Sequence, residues 1–224
     1  MTFEKNDFIE IEFIARVKNG DVFDSNIKEE VEKLHHGHDH KIESKPLIFS
    51  LGNGMFLKSI DDFLIGKTVG TYEVDLLPEK AFGLRNKDMV KTIPMKFFKE
   101  NKLNPFPGAV FNFDNFVGKV ISVSGGRVLV DFNHPLANKE VVYKVNVLKK
   151  IENTEEKVKA LCDFFFRKKF KFELKDKNLT LEADKNYSKF IILFKEKFKE
   201  ILDLDLEVKE VDEDKGKTHP KTAQ

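Results

Sequence analysis

The stretch Asn19-Gly-Asp-Val-Phe-Asp-Ser25 decides how the first part of the chain folds. Asn-Gly is a preferred dipeptide for a tight hairpin turn, because both positions tolerate positive φ angles. Before the turn, apolar residues alternate with charged ones from Asp7 to Val17, which is the period of a half-buried strand. After the turn, Val22 to Asp24 predicts a second strand. The sequence therefore predicts a hairpin that carries the Asp24 carboxylate at its end.

Further short elements extend this pattern on both sides of the hairpin. Lys28 to Leu34 predicts a short helix, and Leu47 to Leu51 alternates as a strand. Met55 to Leu64 has the period of an amphipathic helix, and Tyr72 to Leu77 predicts a strand that Pro78 ends. Val141 to Val147 alternates again and is expected to return to the main sheet. The fold class is therefore α+β.

The segment from Asn86 to Asp131 resembles an inserted β-rich module. It has predicted strands of its own and a Gly125-Gly126 hairpin turn. It carries many large apolar residues for its length, namely Met89, Met95, Phe97, Phe98, Phe106, Phe111, Phe113 and Phe116. A small core of the module explains part of this set. The rest indicate an exposed interaction surface, for which methionine is well suited.

A separate C-terminal unit is predicted between residues 153 and 211. Asn153 is the predicted N-cap of a helix from Thr154 to Phe166, with Glu156 three residues later. The predicted elements that follow are strands Phe170 to Leu174 and Leu179 to Ala183, a helix Ser188 to Leu202, and a strand Leu204 to Val211. Their order is αββαβ. Residues 212–224 are charged and polar without a period, so we expect a disordered tail.

Composition excludes several classes of partner. The 224 residues are 41% hydrophobic, enough to fill a core. Lys and Arg number 39 against 38 Asp and Glu, so the net charge of +1 gives no basic surplus for nucleic acid or an anionic membrane. The single cysteine, Cys162, suits a reducing compartment, and no apolar run is long enough for a signal core or a membrane span. We expect a cytoplasmic protein.

Four stretches, taken in order, resemble the FKBP-type peptidyl-prolyl cis-trans isomerases. They are Asn19 to Ser25, Pro46-Leu-Ile-Phe-Ser-Leu-Gly52 with Phe56-Leu-Lys-Ser-Ile-Asp-Asp62, Val69-Gly70 with Pro78-Glu-Lys-Ala-Phe-Gly83, and Asn133-His-Pro-Leu-Ala-Asn-Lys139. The last stretch is similar to the motif of the SlyD-like branch, whose members carry an inserted flap domain. The match runs from Asn6 to about Glu152, and the whole chain resembles the long archaeal form.

The resemblance implies an FKBP-like antiparallel sheet that wraps a short helix. The isomerase domain would comprise residues 1–85 and 132–152, with an inserted flap (chaperone) domain at 86–131. A small αββαβ C-terminal domain at 153–211 and the tail 212–224 would follow.

The resemblance also implies the site residues and the activity, EC 5.2.1.8. Catalytic roles would fall to Asp24, Leu57 and Phe82. Substrate would be bound by Phe13, Phe23, Leu47, Phe56, Ile60 and Tyr143. Two positions depart from the family pattern, because Phe82 replaces a tyrosine and Ile60 replaces a tryptophan. The missing hydroxyl removes a hydrogen bond worth about 0.5–1.5 kcal/mol, which predicts a reduced isomerase rate.

The residues themselves leave other interpretations open. A carboxylate after an apolar strand needs partners or a task, so Asp24 is either functional or a turn carboxylate bonded to the Ser25 or Asn26 amides. Phe13, Phe56 and Tyr143, taken singly, are more typical of core residues than of a binding site. Prolyl isomerisation breaks no covalent bond, and we expect no cofactor.

A histidine cluster, His35-His-Gly-His-Asp-His40, is the other group of side chains in the sequence that can bind a ligand. Imidazoles at this density bind Ni, Zn or Cu, so His35, His36, His38 and His40 are candidate metal ligands. The segment has no cysteine and lacks the spacing of a closed zinc site, which equally favours a solvated loop.

Three functions follow as alternatives. The first is an isomerase that acts on unfolded or proline-containing polypeptides and holds them through its inserted module. The second is a holdase chaperone with little isomerase activity, and the third is a metal-binding accessory protein that uses the histidine loop. The C-terminal unit would extend the client surface, contact a partner or form a homodimer.

Overall fold

The computed structural model describes residues 1–34, 44–114 and 116–211, and it confirms the α+β class. In chain order the strands and α-helices are β1 (Phe8–Val17), β2 (Val22–Ser25), α1 (Lys28–Leu34), β3 (Leu47–Ser50), α2 (Lys58–Leu64), β4 (Gly70–Leu76), β5 (Val90–Pro94), α3 (Met95–Glu100), β6 (Val110–Phe113), β7 (Phe116–Ser124), β8 (Arg127–Asp131), β9 (Val141–Ile151), α4 (Thr154–Phe166), β10 (Phe172–Lys175), β11 (Asn178–Ala183), α5 (Lys185–Ile192), α6 (Lys195–Leu202) and β12 (Asp205–Glu210). Short 3-10 turns lie at Pro78–Lys80 and Lys87–Met89.

The strands form three sheets. The first has the order β2-β1-β9-β4, with β3 antiparallel to β1 so that Phe8 lies opposite Ser50. The second has the order β5-β8-β7-β6, and its strands are antiparallel throughout. The third has the order β10-β11-β12, in which β11 and β12 run parallel because α5 and α6 cross between them.

The described chain divides into two compact units. One consists of Met1–Ile14, Asp24–Tyr72 and Lys144–Gln224, and the other of Ala15–Phe23 and Glu73–Tyr143. In the first unit β1 buries Phe8, Ile9 and Ile11 completely. The second unit contains the four-stranded sheet with a core of its own, formed by Phe98, Ala109, Val120, Val128 and Val130. The domain boundaries at 86, 131 and 153 remain predictions.

Local sequence signals explain why some helices begin and end where they were predicted. Helix α4 begins where predicted, because the Asn153 side chain accepts a hydrogen bond from the Glu156 N–H at 3.0 Å. The predicted helix Ser188 to Leu202 is wrong in two respects, since the chain forms two helices, α5 and α6, and the first begins at Lys185. At the break the Phe194 N–H bonds the carbonyl of Ile191, three residues back, at 2.9 Å, which tightens the chain into a turn.

Candidate functional site

The segment after β2 is fixed to β1 by side-chain hydrogen bonds. The Asn26 carbonyl oxygen accepts from the Phe13 N–H at 2.7 Å, and the Asn26 amide group donates to the Ile11 carbonyl at 2.9 Å. The Ser25 hydroxyl donates to the Phe13 carbonyl at 2.7 Å. Two polar side chains thereby hold the backbone on both sides of Phe13, and they fix the position of Asp24 immediately before them.

The Asp24 carboxylate remains accessible to solvent. Partial burial among its neighbours raises the pKa of this carboxyl, and a hydrogen bond from the Ser25 backbone opposes that shift. The Ser25 contact is one of the turn contacts expected from the sequence. Because Asp24 is exposed and forms no ion pair with the described residues, its carboxylate can interact with a polar group of a ligand.

An aromatic cluster lies in the same unit as Asp24. The rings of Phe13 and Phe56 meet edge to face at 5.0 Å, and Phe56 also lies 5.4 Å from Phe49. Phe13 and Ile60 are buried, whereas Phe56 is half-buried, as is Leu47. Half-buried apolar side chains over a fully buried layer provide a surface that an apolar ligand group can cover. The sequence did not indicate Phe49, because its contact with Phe56 depends on how two separate elements pack.

Leu57 is the N-cap residue of α2. Its backbone is extended, with φ −60° and ψ 121°, and its carbonyl accepts from the N–H groups of Ile60 and Asp61. The Leu57 N–H itself donates to none of the described residues. A free N–H at a helix start is a hydrogen-bond donor for a ligand carbonyl.

Asp61 is a buried carboxylate that sequence reasoning missed. It is only 2% exposed and accepts hydrogen bonds from the backbone N–H groups of Gly52 at 2.7 Å and Gly54 at 3.3 Å. Burial raises the pKa of Asp61, while these two hydrogen bonds act to lower it. Both glycines have positive φ angles, so the carboxylate stabilises a turn that only glycine adopts readily. On sequence alone, Asp61 in an amphipathic helix would be placed on the solvent face.

A second aromatic cluster lies in the other unit. Phe23 contacts Phe82 at 5.6 Å and Tyr143 at 6.1 Å, both edge to face. Phe82 is half-buried and is presented by a tight turn in which the Gly83 N–H donates to the Pro78 carbonyl at 2.7 Å. Gly83 has a φ of 80°, which explains the need for glycine after Phe82.

His134 stacks on Phe82. The two rings are 4.6 Å apart and inclined by only 2°. The Nδ1 atom of His134 accepts a hydrogen bond from the Leu136 N–H at 3.1 Å, which fixes the ring orientation. The Asn138 N–H also donates to the Gly83 carbonyl at 2.9 Å, so the two loops are joined. Although the motif Asn133 to Lys139 was recognised in the sequence, this ring contact was not predicted.

A polar network joins the two chain segments that lead into and out of residues 86–131. The Arg85 guanidinium contacts the Asp131 carboxylate at 2.8 Å, and Asn133 donates to the same carboxylate at 2.7 Å. Burial acts to raise the pKa of Asp131, but the hydrogen bonds from Asn133 and Arg85 outweigh it and lower the pKa. Asn133 also bonds the backbone of Asn86, so the two connecting segments are fixed to each other.

The inserted segment exposes apolar side chains in addition to those in its core. Phe98 is fully buried, and Met95, Phe111 and Phe113 pack around it. Phe106, Val110, Phe116 and Val117 are each 59% exposed, and Phe97 and Ile121 are 40% exposed. Strand β6 is at the edge of its sheet, since it pairs with β7 alone. The segment therefore has both a small core and an open apolar edge.

Within the described residues, no group of three or more His, Cys, Asp and Glu side chains is arranged to hold a metal ion. The candidate ligands His35, His36, His38 and His40, and the predicted tail 212–224, lie outside the described residues. None of the helices in the described part of the chain is long and apolar enough to cross a membrane.

Comparisons with known proteins agree with this architecture. Residues 1–99 match the family described as FKBP-type peptidyl-prolyl cis-trans isomerase, and residues 91–136 match the family described as FKBP26, IF domain. A short-type peptidyl-prolyl cis-trans isomerase from Methanocaldococcus jannaschii is 32% identical over 145 residues, which cover 64% of this chain and 91% of the relative. The chain belongs to the FKBP-type peptidyl-prolyl cis-trans isomerases.

Other relatives carry the SlyD name. One from Haemophilus influenzae is 25% identical over 172 residues, or 70% of this chain and 77% of the relative. A probable FKBP-type 16 kDa isomerase from Pseudomonas fluorescens is 28% identical over 148 residues, or 64% and 89%. The SlyD-like isomerase class predicted from the motifs is therefore confirmed, as is its enzymatic class, EC 5.2.1.8. The roles of individual site residues stay predictions.

Proposed function

We propose that the chain assists protein folding by holding unfolded polypeptides on the inserted segment 86–131 while it isomerises their prolyl bonds. The observation that carries this proposal is the open apolar edge around β6 and β7. An edge strand offers unpaired backbone groups, and exposed apolar side chains beside it bind extended chains without demanding one sequence.

Catalysis needs no covalent step. Prolyl bonds rotate slowly because twisting the amide costs about 18–20 kcal/mol of barrier. The planar amide is more charge-separated than the twisted one, so an apolar environment favours the twisted state. Half-buried Phe56 and Leu47 provide such an environment in the first unit, and Phe82 and Phe23 do so in the second. The buried Phe13 ring packs against Phe56, and the buried Tyr143 ring packs against Phe23. Ile60 is buried in the same unit as Phe56.

Two polar groups have proposed roles. The Leu57 N–H binds a substrate carbonyl, and the Asp24 carboxylate stabilises the rotating carbonyl carbon electrostatically. Phe82 contributes an apolar contact only, because it has no hydroxyl. A holdase with little isomerase activity is the second candidate, and this missing hydroxyl is the observation that favours it.

The test is to place charge on the apolar edge. We expect the double variant Val110→Lys, Val117→Lys to slow catalysis of a proline-limited refolding reaction by about fivefold or more, since each lysine replaces an exposed apolar contact. Catalysis on a proline-containing tetrapeptide should change by less than about twofold. Thr92→Lys, at an exposed position of the other edge strand, β5, tests whether a single added charge outside the apolar edge has the same effect.

Equal loss on both substrates would contradict the proposal, as would equal loss in the Thr92→Lys control. A wild-type rate on the tetrapeptide no higher than the uncatalysed rate, together with capture of the unfolded chain, would favour the holdase. Deletion of residues 86–131 should reproduce the loss on the protein substrate.

The expected setting of this activity is the cytoplasm, with neither nucleic acid nor membrane as a partner, and the balanced charge of the chain supports this. Exposed apolar residues in the C-terminal segment, Phe190, Ile192 and Leu193, support a homodimer contact there. Sedimentation equilibrium over a range of protein concentrations tests the dimer, and Leu193→Lys should shift the equilibrium to monomer.

A further inference from the structure

The C-terminal segment contains a cleft of about 350 Å³ between α4 and β10. It is lined by Lys159, Cys162, Asp163, Lys169, Phe170 and Phe172. The Cys162 thiol and the two phenyl rings make its lining largely apolar. This volume lies at the small end of ligand sites, so the cleft accommodates one large apolar group and little else.

Positive charge surrounds this cleft. Its single lining carboxylate, Asp163, is already paired with the Lys45 ammonium at 3.4 Å. Lys159 has a loose ion pair with Glu155, at 3.7 Å, and its ammonium lies 6.0 Å from the centre of the Phe172 ring. Arg167 and Lys169, which follow α4 directly, are exposed and form no ion pair with any residue in the described ranges. Lys169 lines the cleft and Arg167 lies two residues before it in the chain, so the cleft combines an apolar lining with unpaired positive charge on the segment that forms it.

We propose that this cleft binds an acidic polypeptide segment that carries one large apolar side chain. The apolar side chain enters between Phe170 and Phe172 and loses its water-exposed surface. Carboxylates on either side of it pair with Lys169 and Arg167, where they replace water and counterions. An apolar anchor with a charged rim is the usual organisation of a peptide-binding hot spot.

A nucleic acid fits the same cations less well. Single-stranded nucleic acid needs open aromatic faces on which bases stack. The Phe170 ring is already packed edge to face against Phe166 at 5.5 Å and lies under the Lys168 ammonium at 5.7 Å. A phenyl or aliphatic group fills this cleft better than a base.

Binding at this cleft does not depend on the proposed roles of the isomerase residues or of the inserted segment. If the acidic segment belongs to a client polypeptide, a second contact on the same chain raises the effective concentration of its prolyl bonds near the enzyme. Acidic clients would then be processed faster than neutral ones of equal proline content.

The test uses the full chain and a fluorescent, proline-free peptide with one central phenylalanine flanked by glutamates. We expect the double variant Arg167→Glu, Lys169→Glu to weaken binding by about fivefold to thirtyfold, because each reversal replaces an attraction by a repulsion of the size of a surface ion pair. Phe→Ala in the peptide should weaken binding as strongly, and Glu→Gln should remove its salt dependence.

Lys185→Glu, Lys195→Glu is the matched control. Both lysines are exposed at helix starts in the same segment and neither lines the cleft, so the net charge changes equally and the helices are not weakened. Equal loss in this control would overturn the proposal, as would unchanged binding in the cleft variant. Tighter binding of a single-stranded oligonucleotide that competes with the peptide would also overturn it. Unchanged far-UV circular dichroism and an unchanged urea midpoint show that the variants are folded.

Discussion

Asp24 is a carboxylate whose charge is only partly compensated. Burial raises its pKa, so it takes up a proton at a higher pH than an ordinary aspartate. If the charged form assists rotation of the prolyl bond, kcat/KM must fall as pH falls through this raised pKa. Asp24→Asn should lower kcat/KM at neutral pH by about tenfold, the lower end of what one charged contact contributes.

The measurement is a protease-free tetrapeptide assay as a function of pH. The wild type should lose activity on the acid side, while Asp24→Asn should be slow and independent of pH in that range. Full activity in Asp24→Asn would show that the carboxylate serves only the turn with Ser25.

The stacked pair of His134 and Phe82 suggests that His134 positions the Phe82 ring. His134→Ala removes the stack and should lower kcat/KM for the tetrapeptide by about twofold to tenfold, the worth of one aromatic pair. His134→Phe should restore the rate, because it keeps a ring at this position. Both variants remove the acceptor of the Leu136 N–H, so their difference isolates the stack. Equal rates in the two variants, with equal unfolding free energies, would contradict a positioning role.

At the scale of elements, the sequence predicted what local signals determine. Helix α1 and helix α4 have the predicted bounds, and the Asn153 cap forms as expected. Strand β5 was missed because Val90-Lys-Thr-Ile-Pro94 is short, ends in proline and is stabilised by pairing with β8, more than thirty residues later. Contacts of this range are decided by tertiary packing rather than by local pattern.

The same reasoning explains which site residues were predicted. Asp24, Phe56 and Phe82 lie in recognisable motifs, so the resemblance identified them. Asp61 was missed because the carboxylate forms its hydrogen bonds only once α2 approaches the glycine turn at Gly52. His134 was missed as a ring partner for a similar reason, since the chain must return after about fifty residues to place it on Phe82.

Strand β7 contains a glycine, Gly118, at a position where the neighbouring side chains leave no room for a larger residue. A Cβ atom on Gly118 would lie 2.6 Å from Val130, 2.8 Å from Phe132 and 2.9 Å from Phe113. We expect Gly118→Ala to lower the free energy of unfolding by about 1–3 kcal/mol through overpacking. Ser122→Ala, at an exposed position of the same strand, should stay within about 0.5 kcal/mol of wild type.

Urea unfolding followed by circular dichroism measures both changes. An unchanged stability in Gly118→Ala would mean that the core around Phe98 yields easily to added volume. A core that yields in this way would let Phe111 and Phe113, which pack against it, become exposed in the folded state. Binding of clients by these two rings would then be the better explanation of how the inserted segment acts.

At the scale of the whole molecule, net charge conceals local differences. The chain carries only one surplus positive charge, which favours partners other than nucleic acid. Many lysines are paired with nearby carboxylates, for example Lys168 with Asp184 and Lys199 with Asp203, while Arg167 and Lys169 have no such partner among the described residues. Pairing depends on the folded arrangement, so composition alone could not locate this cleft.

The single cysteine provides a probe of the folded molecule. Cys162 is 3% exposed, and burial raises the pKa of its thiol to about 12. Since the thiolate is the reactive form, a thiol reagent should modify native protein at a small fraction of the rate for unfolded protein. In urea, the rate should rise in parallel with the unfolded fraction measured by circular dichroism.

The acidic peptide adds a second readout to the thiol-modification experiment, because Cys162 lines the cleft to which the peptide is proposed to bind. If local opening of α4 exposes the thiol before global unfolding, the bound peptide should slow modification of the wild type in the absence of urea. It should have a much smaller effect on Arg167→Glu, Lys169→Glu. Rapid modification of the native chain, unaffected by the peptide, would show that reagents reach Cys162 by a path other than the cleft.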